Sequence, residues 1–426
     1  MGPQLVERVN TLVDDDAAHL VEMFKDIHRN PELGFKETRT AEIVAKALTD
    51  LGFEVTTGIG GTGVAAILRN GQGPTVMYRA DMDALCVEEA TGLDYASTVR
   101  VGRDDGGESP VAHVCGHDAH VTGMLGMAKV LSQATDAWSG TSVLIGQPAE
   151  ELIAGAQAMV DDGLYNVVPK PDYFVAMHTA PVPVGMVAAS GGTLLSGTDQ
   201  IDIVFKGVGG HGSMPQLTKD PVLMAALAIV QFQTIVSRTI APQETAVLTV
   251  GSVQAGSVNN VIPDHALLKV NLRWLSPHVR DQLIAGLRAV SNGIARTYGM
   301  PEEQLPVITM GGGSTPLVND ERLTARLAGA LGKVIDSGNV VTQLSAVTAS
   351  EDCHLLKGPH TDVPLSYLFV GVADPQVWAE AFRTGKLFPY SPHSPDYVVD
   401  LAAIPFGAKV ASHVMLELLR KPGQTS

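Results

Sequence analysis

Two short apolar runs constrain this chain most. Ser142-Val-Leu-Ile145 leads into Gln147-Pro-Ala-Glu150-Glu151, and Tyr173-Phe-Val-Ala-Met177 leads into His178. Each reads as a buried strand with ligand-type side chains just past its C-terminal end. A third strand, predicted over 75–81, closes on Arg79-Ala-Asp81-Met-Asp83. In open α/β sheets, ligands bind at the carboxyl ends of the strands. The chain is therefore expected to form an α/β sheet whose strand ends converge on one site.

Ahead of these runs lies His113-Val-Cys115-Gly-His117-Asp118-Ala-His120. Thiolate, imidazole and carboxylate are the groups that bind zinc and its first-row neighbours. Cys115 and His117 are two apart, so in an extended segment both side chains project to one side. Asp118 and His120 are expected to cap the following helix, predicted over 121–131, or to stand behind the ligands. Exposed glutamate pairs are common, but Glu150-Glu151 follows a buried strand and Pro148 directly. At a strand end neighbouring side chains diverge, so one carboxylate can bind metal while the other handles the proton of a water molecule. His178 is a further ligand candidate at the same edge. Spacing leaves His393 open: Ser391-Pro-His393-Ser-Pro395 is a rigid loop that either holds a ligand or turns the chain. Asp81 and Asp83 either cap the next helix or orient a ligating imidazole. Together these residues point to a metal-assisted hydrolase.

A chain of 426 residues exceeds one ordinary core, so two domains are expected. Helices are predicted over 14–28, with Asp14, Asp15 and Asp16 in the first turn, and over 37–51, ending at Gly52. From about residue 188 the pattern changes to strand 198–206, helix 220–239, strands 245–254 and 265–274, helix 277–298 and strand 306–310. That order is the β-α-β-β-α-β of a ferredoxin-like unit. Past Gly311-Gly-Gly313 the mixed pattern resumes, with a helix over 320–335, a strand over 365–372 and a C-terminal helix. The expected organisation is a discontinuous metal-binding domain, 1–187 and 311–426, with an inserted domain over 188–310. Helix 220–239 is apolar all round, whereas a helix covering one side of a sheet needs a single apolar stripe. Its outer face is expected to meet the other domain or, preferably, a second subunit.

Composition removes several function classes. The formal net charge of −16 disfavours nucleic acid or anionic membrane as a partner, since both require basic surface. Three cysteines without a C-x-x-C spacing are no disulfide framework and suit a reducing cytoplasm. The first twenty residues lack the apolar segment of a signal peptide, and the apolar run over 221–230 is shorter than the ~20 residues a bilayer demands. Gly58-Ile-Gly60-Gly-Thr-Gly63 matches the dinucleotide pattern G-x-G-x-x-G, but a strand rather than a helix is predicted after it, over 64–68. It reads as a turn.

Taken in order, His28-Arg-Asn-Pro-Glu-Leu-Gly-Phe35, Arg79-Ala-Asp-Met-Asp-Ala-Leu85, Cys115-Gly-His-Asp-Ala-His120, Gln147-Pro-Ala-Glu-Glu151, Gly209-Gly-His-Gly212, Asn260-Val-Ile-Pro263, Ser350-Glu-Asp352 and His393-Ser-Pro395 resemble the aminoacylase and carboxypeptidase-G superfamily of metallopeptidases. The match is to its branch of hippurate hydrolases, auxin-conjugate hydrolases and N-acyl-amino-acid amidohydrolases, over nearly the whole chain. The resemblance implies a mixed-sheet, zinc-peptidase-like catalytic domain with an inserted ferredoxin-like lid that also forms a homodimer. It implies two divalent metal ions per subunit, manganese or zinc, held by Cys115, His117, Glu151, His178 and His393. Glu150 would be the general base, and Asp83 would orient a ligating histidine. His211 would reach the partner subunit's site, and Asn260 and Arg273 would bind the substrate's carboxylate. The implied reaction is hydrolysis of an N-acyl-amino acid, a small-molecule substrate. A dipeptidase with the same centre and a catalytically silent binding protein are the rivals. Cys86 stands where the branch usually has proline, Cys353 where phenylalanine is common, and the excursion over 101–109 is longer than usual.

Overall fold

The computed structural model describes residues 2–103 and 106–420; Asp104 and Asp105, in the excursion over 101–109, lie outside the described residues. Along the chain come α1 (Pro3–Arg29), α2 (Thr38–Asp50), β1 (Glu54–Ile59), β2 (Gly63–Asn70), β3 (Thr75–Asp81), α3 (His117–Gln133), β4 (Gly140–Gln147) and β5 (Tyr173–Pro183). Then follow β6 (Gly197–Lys206), α4 (Pro221–Thr234), β7 (Ala246–Ala255), β8 (His265–Trp274), α5 (Pro277–Thr297) and β9 (Val307–Ser314). The chain ends with α6 (Glu321–Leu331), β10 (Leu365–Ala373), α7 (Pro375–Arg383) and α8 (Ala403–Leu418). It divides into two compact units: Met1–Gly192, Val318–Ser345 and Asp352–Ser426 form the first, Thr193–Leu317 and Ala346–Glu351 the second.

The first unit is built on a mixed sheet in the order β1-β2-β4-β3-β5-β10, extended by the short strands Val187–Ala188 and Val340–Val341. β1, β2 and β4 pair antiparallel, whereas β4, β3, β5 and β10 run parallel. The parallel strands are buried on both faces and read as continuous apolar runs, as such strands must. β3 pairs with β5 only as far as Arg79↔Ala176, while β5 continues against β10 through His178↔Phe369 and beyond. His178 thus lies within its strand rather than past the end of it. The motif over 58–63 joins β1 to β2 as a turn, as its sequence context requires.

Helices α1, α3 and α8 pack against one another, and α3 and α8 pack on the sheet. Helix α1 starts eleven residues before the expected start at residue 14, which places Asp14, Asp15 and Asp16 in its middle. The reason is its stripe: Val9, Val13, Leu20, Phe24 and Ile27 are buried at helical spacing, and Pro3 opens the first turn. Asp16 is tolerated on that stripe because Lys129 of α3 pairs with it at 2.5 Å. Trp138, between α3 and β4, is fully buried and donates its indole N–H to the Leu131 carbonyl at 3.0 Å. Trp138→Ala should lower the unfolding free energy of this unit by ~3–5 kcal/mol. Chemical denaturation checks this, and a change below ~1 kcal/mol would show that the site can collapse around the loss.

The second unit runs β6-α4-β7-β8-α5-β9, with a fully antiparallel sheet in the order β7-β8-β6-β9. This is the ferredoxin-like arrangement. Ile201, Ile203 and Phe205 of β6 and Leu268, Val270 and Leu272 of β8 point to one face, which α4 and α5 cover. Asp220 caps α4 by accepting from the Val222 and Leu223 amides, with Pro221 at the first helical position. Strand β9 continues through Gly311-Gly-Gly313 instead of ending before it. A side chain at Gly313 would come within 2.7 Å of the Thr198 carbonyl, so the glycine permits this pairing.

Helix α4 buries Met224, Ala225, Ala228 and Phe232 against the sheet and leaves Val222, Leu223, Leu227 and Val230 exposed. With the π-turn Ile235–Thr239 the helical segment reaches 19 residues, long and apolar enough by length and composition to cross a bilayer. The expectation that the apolar run is too short counted only residues 221–230. Its buried face identifies it as a helix that covers a sheet.

Candidate metal centre

The carboxyl ends of β3 and β4 and the middle of β5 deliver Asp81, Asp83, Glu150, Glu151 and His178 to one edge of the sheet. Cys115 and His117 arrive from the start of α3. The extended geometry expected for them does not occur, because Gly116 between them is left-handed at φ 83 and the helix begins at His117. A side chain at Gly116 would lie 2.4 Å from Thr179 Oγ1, so only glycine makes this turn. Thr179 in turn donates its hydroxyl to the Cys115 carbonyl at 2.8 Å and receives the Tyr397 hydroxyl at 2.9 Å. His393 comes from the loop after α7, and its amide donates to the Val114 carbonyl at 2.8 Å. That hydrogen bond pins a residue 278 positions away beside Cys115.

The ligand atoms converge. Cys115 Sγ lies 3.5 Å from His178 Nε2 and 3.3 Å from His393 Nε2, and His393 Nε2 lies 3.4 Å from Glu151 Oε1. His117 Nε2 is 3.8 Å from both Glu150 Oε2 and Glu151 Oε1. Cys115, Glu151 and His393 form one cluster and His117, Glu150 and Glu151 another, with Glu151 in both. Ligands bound at ~2.0–2.3 Å around a tetrahedral ion stand ~3.3–3.8 Å apart. These separations fit that polyhedron better than they fit N···O hydrogen bonds. His117 Nε2 and Glu151 Oε1 are buried and make no hydrogen bond, which is costly unless a cation is their partner. The donor set therefore fits divalent metal.

Electrostatics point the same way. Burial pulls the His117 imidazole down, but Asp81, Asp83 and Glu151 outweigh it and hold it at about 10. Burial, with the charges of Glu151, Glu150 and Asp81, pushes the Cys115 thiol well above its ordinary value. Burial lowers His178 to about 3. Burial raises Asp83, whereas in Glu151 the neighbouring His393, His117 and His178 outweigh burial and hold the carboxyl down. Such a concentration of buried carboxylate around a thiol calls for cations.

A layer behind the ligands sets their tautomers. His117 donates Nδ1–H to the Asp83 carbonyl at 2.8 Å, with Asp83 Oδ1 at 3.3 Å, so the Nε2 lone pair of the neutral ring faces the cluster. His178 donates Nδ1–H to the Thr179 carbonyl at 2.7 Å, which aims its Nε2 at Cys115. Asp118 does not cap α3: it pairs with the buried His28 at 2.6 Å. His120 accepts the Thr179 amide at Nε2 (2.8 Å) and donates Nδ1–H to Asp81 at 2.5 Å. Asp81 also takes Arg79, buried among Asp81, Gln147 and Asp352. His120 was legible as standing behind the ligands. The link from Asp81 through Arg79 to Gln147 and Asp352 was not, because no periodicity marks a contact across 205 positions such as Gln147–Asp352.

The three remaining candidates lie in the second unit. His211 pairs with Val261 in a two-residue ladder, and the neighbouring Gly212 amide donates to the Asn260 carbonyl at 2.9 Å. Arg273, on β8, donates to Asn271 at 2.8 Å.

Comparison with known proteins places the chain. The profile of Peptidase family M20/M25/M40 matches residues 77–417. The chain belongs to that family. M20/M25/M40 membership makes it a metal-dependent hydrolase of carbon–nitrogen amide bonds and supports the amidohydrolase branch read from the motifs. It is 40% identical to a hippurate hydrolase of Campylobacter jejuni over 63% of this chain and 68% of that one. It is 32% identical to thermostable carboxypeptidase 2 of Saccharolobus solfataricus over 97% and 98% of the two chains. Among solved structures it resembles a dinuclear metal-binding M20 peptidase of Bacillus subtilis, with TM-score 0.73, 26% identity and coverage of 95% and 99%.

Proposed function

We propose that this M20/M25/M40 hydrolase cleaves the amide bond of N-acyl-amino acids, releasing a carboxylic acid and a free amino acid. The observation that carries the reading is the split of the Glu150-Glu151 pair. Glu151 Oε1 turns to Cys115, His117 and His393, while Glu150 stands 3.8 Å from His117 Nε2 and outside the thiol cluster. The similarity to a hippurate hydrolase supports the substrate class.

Cys115, His117, Glu151, His178 and His393 would hold two divalent ions. When bound, such ions lower the pKa of water toward ~7 and polarise the scissile carbonyl. Glu150 takes the proton of the attacking water and returns it to the leaving nitrogen. Asp83 keeps His117 oriented. In the second unit, His211 Nδ1 accepts the Ser213 amide at 3.0 Å, so the neutral ring carries its proton on Nε2 and presents a donor. That tautomer suits stabilisation of the developing oxyanion, performed in the active site of a second subunit. Arg273 and Asn260 would bind the substrate's carboxylate. The thiolate ligand favours zinc, and the imidazole and carboxylate ligands accept manganese as well. The sparse cysteines suit the cytoplasm.

The exposed Val222, Leu223, Leu227 and Val230 of α4 are the proposed homodimer contact. Val230→Asp should convert the dimer to monomer by light scattering, and an unchanged mass would place the interface elsewhere.

Purified protein loaded with manganese or zinc and offered N-benzoyl- and N-acetyl-amino acids and unblocked dipeptides tests the function. Preferential turnover of the blocked substrates is expected. Exclusive turnover of unblocked peptides would favour peptidase action, the reading to which the Saccharolobus carboxypeptidase similarity lends support.

A further inference from the structure

Outside the metal ligands, one buried carboxylate reaches the segment that carries the glutamate pair. Glu37 is fully buried and makes no ion pair among the described residues. Its Oε1 accepts the Ala149 amide at 2.8 Å, across 112 positions, and its Oε2 accepts the Thr62 hydroxyl at 2.5 Å. Ala149 immediately precedes Glu150 and sits at φ 48; Ile153, at the other end of the same turn, sits at φ 53. Non-glycine residues avoid this left-handed region, a β-branched one most of all, and hold it only where the surroundings dictate it. The surroundings here are specific. A Cβ on Gly34 would lie 3.1 Å from Ala149 Cα, so the loop before Glu37 packs directly on the turn. Downstream, the Glu151 amide donates to Asp83 Oδ2 at 2.9 Å, and the Ile153 amide to the Glu150 carbonyl at 2.7 Å. The peptide that presents both carboxylates is thus gripped from both sides, by Glu37 before it and Asp83 after it.

We propose that Glu37 is a positioning residue that fixes the Glu150-Glu151 pair through the Ala149 amide. The inference rests on the reading of Glu150 as general base and Glu151 as ligand. It requires the reach of the side chain, not its charge. Glutamine keeps an acceptor oxygen for the Ala149 amide, and the Thr62 hydroxyl can rotate to accept from its amide nitrogen. Aspartate keeps the charge but is one methylene shorter, so it loses contact with Ala149, Thr62 or both. Misplacement of a reacting group by about an ångström costs on the order of 100-fold in rate.

The test uses the full-length, metal-loaded enzyme. Glu37→Asp should lower kcat by ~10–100-fold with KM changed less than ~2-fold and both metals retained. Glu37→Gln should stay within ~3-fold of the parent kcat, because its acceptor still reaches Ala149. Adding Ala149→Gly to Glu37→Asp should restore part of kcat, since glycine adopts the left-handed conformation without being held there. An aspartate variant with parent kcat, or a glutamine variant as slow as the aspartate one, overturns the proposal. So does a defect confined to thermal stability, with kcat per folded, metal-loaded enzyme unchanged. Glu150→Ala, measured alongside, separates the two layers: an active Glu150→Ala removes the underlying reading, whereas an inactive one beside a fully active Glu37→Asp removes only this inference.

Discussion

Glu150→Ala is expected to lower kcat by a factor of ~10²–10⁴, the usual contribution of a positioned general base, while the protein still binds its metal. Two features set that size. Glu150 is nearly fully buried and 3.8 Å from His117 Nε2, so a proton on its carboxylate would be held beside the reacting groups rather than shared with solvent. It also follows Ala149, whose left-handed backbone turns the two neighbouring carboxylates apart. KM should change little, because in this reading Glu150 moves a proton and binds no distant part of the substrate. Glu150→Gln should be as slow as the alanine variant, since the amide has similar shape but cannot take a proton. A kcat within ~3-fold of the parent in either variant would remove Glu150 from the mechanism.

Glu151→Ala should do something different: it should empty the centre. Glu151 belongs to both ligand clusters, and its Oε1 is one of two buried ligand atoms there without a hydrogen bond. Loss of a group that merely supports a ligand costs ~10–100-fold in metal affinity, so loss of a ligand common to both clusters should cost more. Elemental analysis after dialysis should find at most one metal per chain, and turnover should be lost with it. Excess manganese or zinc should restore little, because the missing oxygen cannot be supplied by its neighbours at the required spacing. Two tightly held metals in Glu151→Ala would mean that Cys115, His117, His178 and His393 bind without it.

How much of this could be read from sequence follows from which contacts are local. Glu150, Glu151, Asp81 and Asp83 were legible because a buried strand ends where each begins, and strand ends in such sheets face ligands. The ferredoxin-like order of the second unit was legible for the same local reason, alternation in β6 and β8 and long helical stretches in α4 and α5. The mistakes were also physical. Treating Cys115 and His117 as extended missed that Gly116 takes the left-handed turn that starts a helix. Placing the start of α1 at the aspartates ignored an apolar stripe that begins at Val9 and that a lysine from α3 makes compatible with Asp16. Ending strand β9 at the glycine triplet took glycine for a break, where it allows close approach to β6. His393 could not be placed by spacing, since one backbone hydrogen bond to Val114 decides where its loop lies. Glu37 resembled an ordinary charge at the start of a helix. Only its contact with Ala149 distinguishes it.

The most direct measurement is anomalous scattering from crystals grown with manganese or zinc, recorded on both sides of the metal's absorption edge. Two peaks per chain are predicted, ~3.5–4 Å apart, enclosed by Cys115 Sγ, His117 Nε2, Glu151, His178 Nε2 and His393 Nε2. A single peak, or peaks bounded by other side chains, would contradict the account.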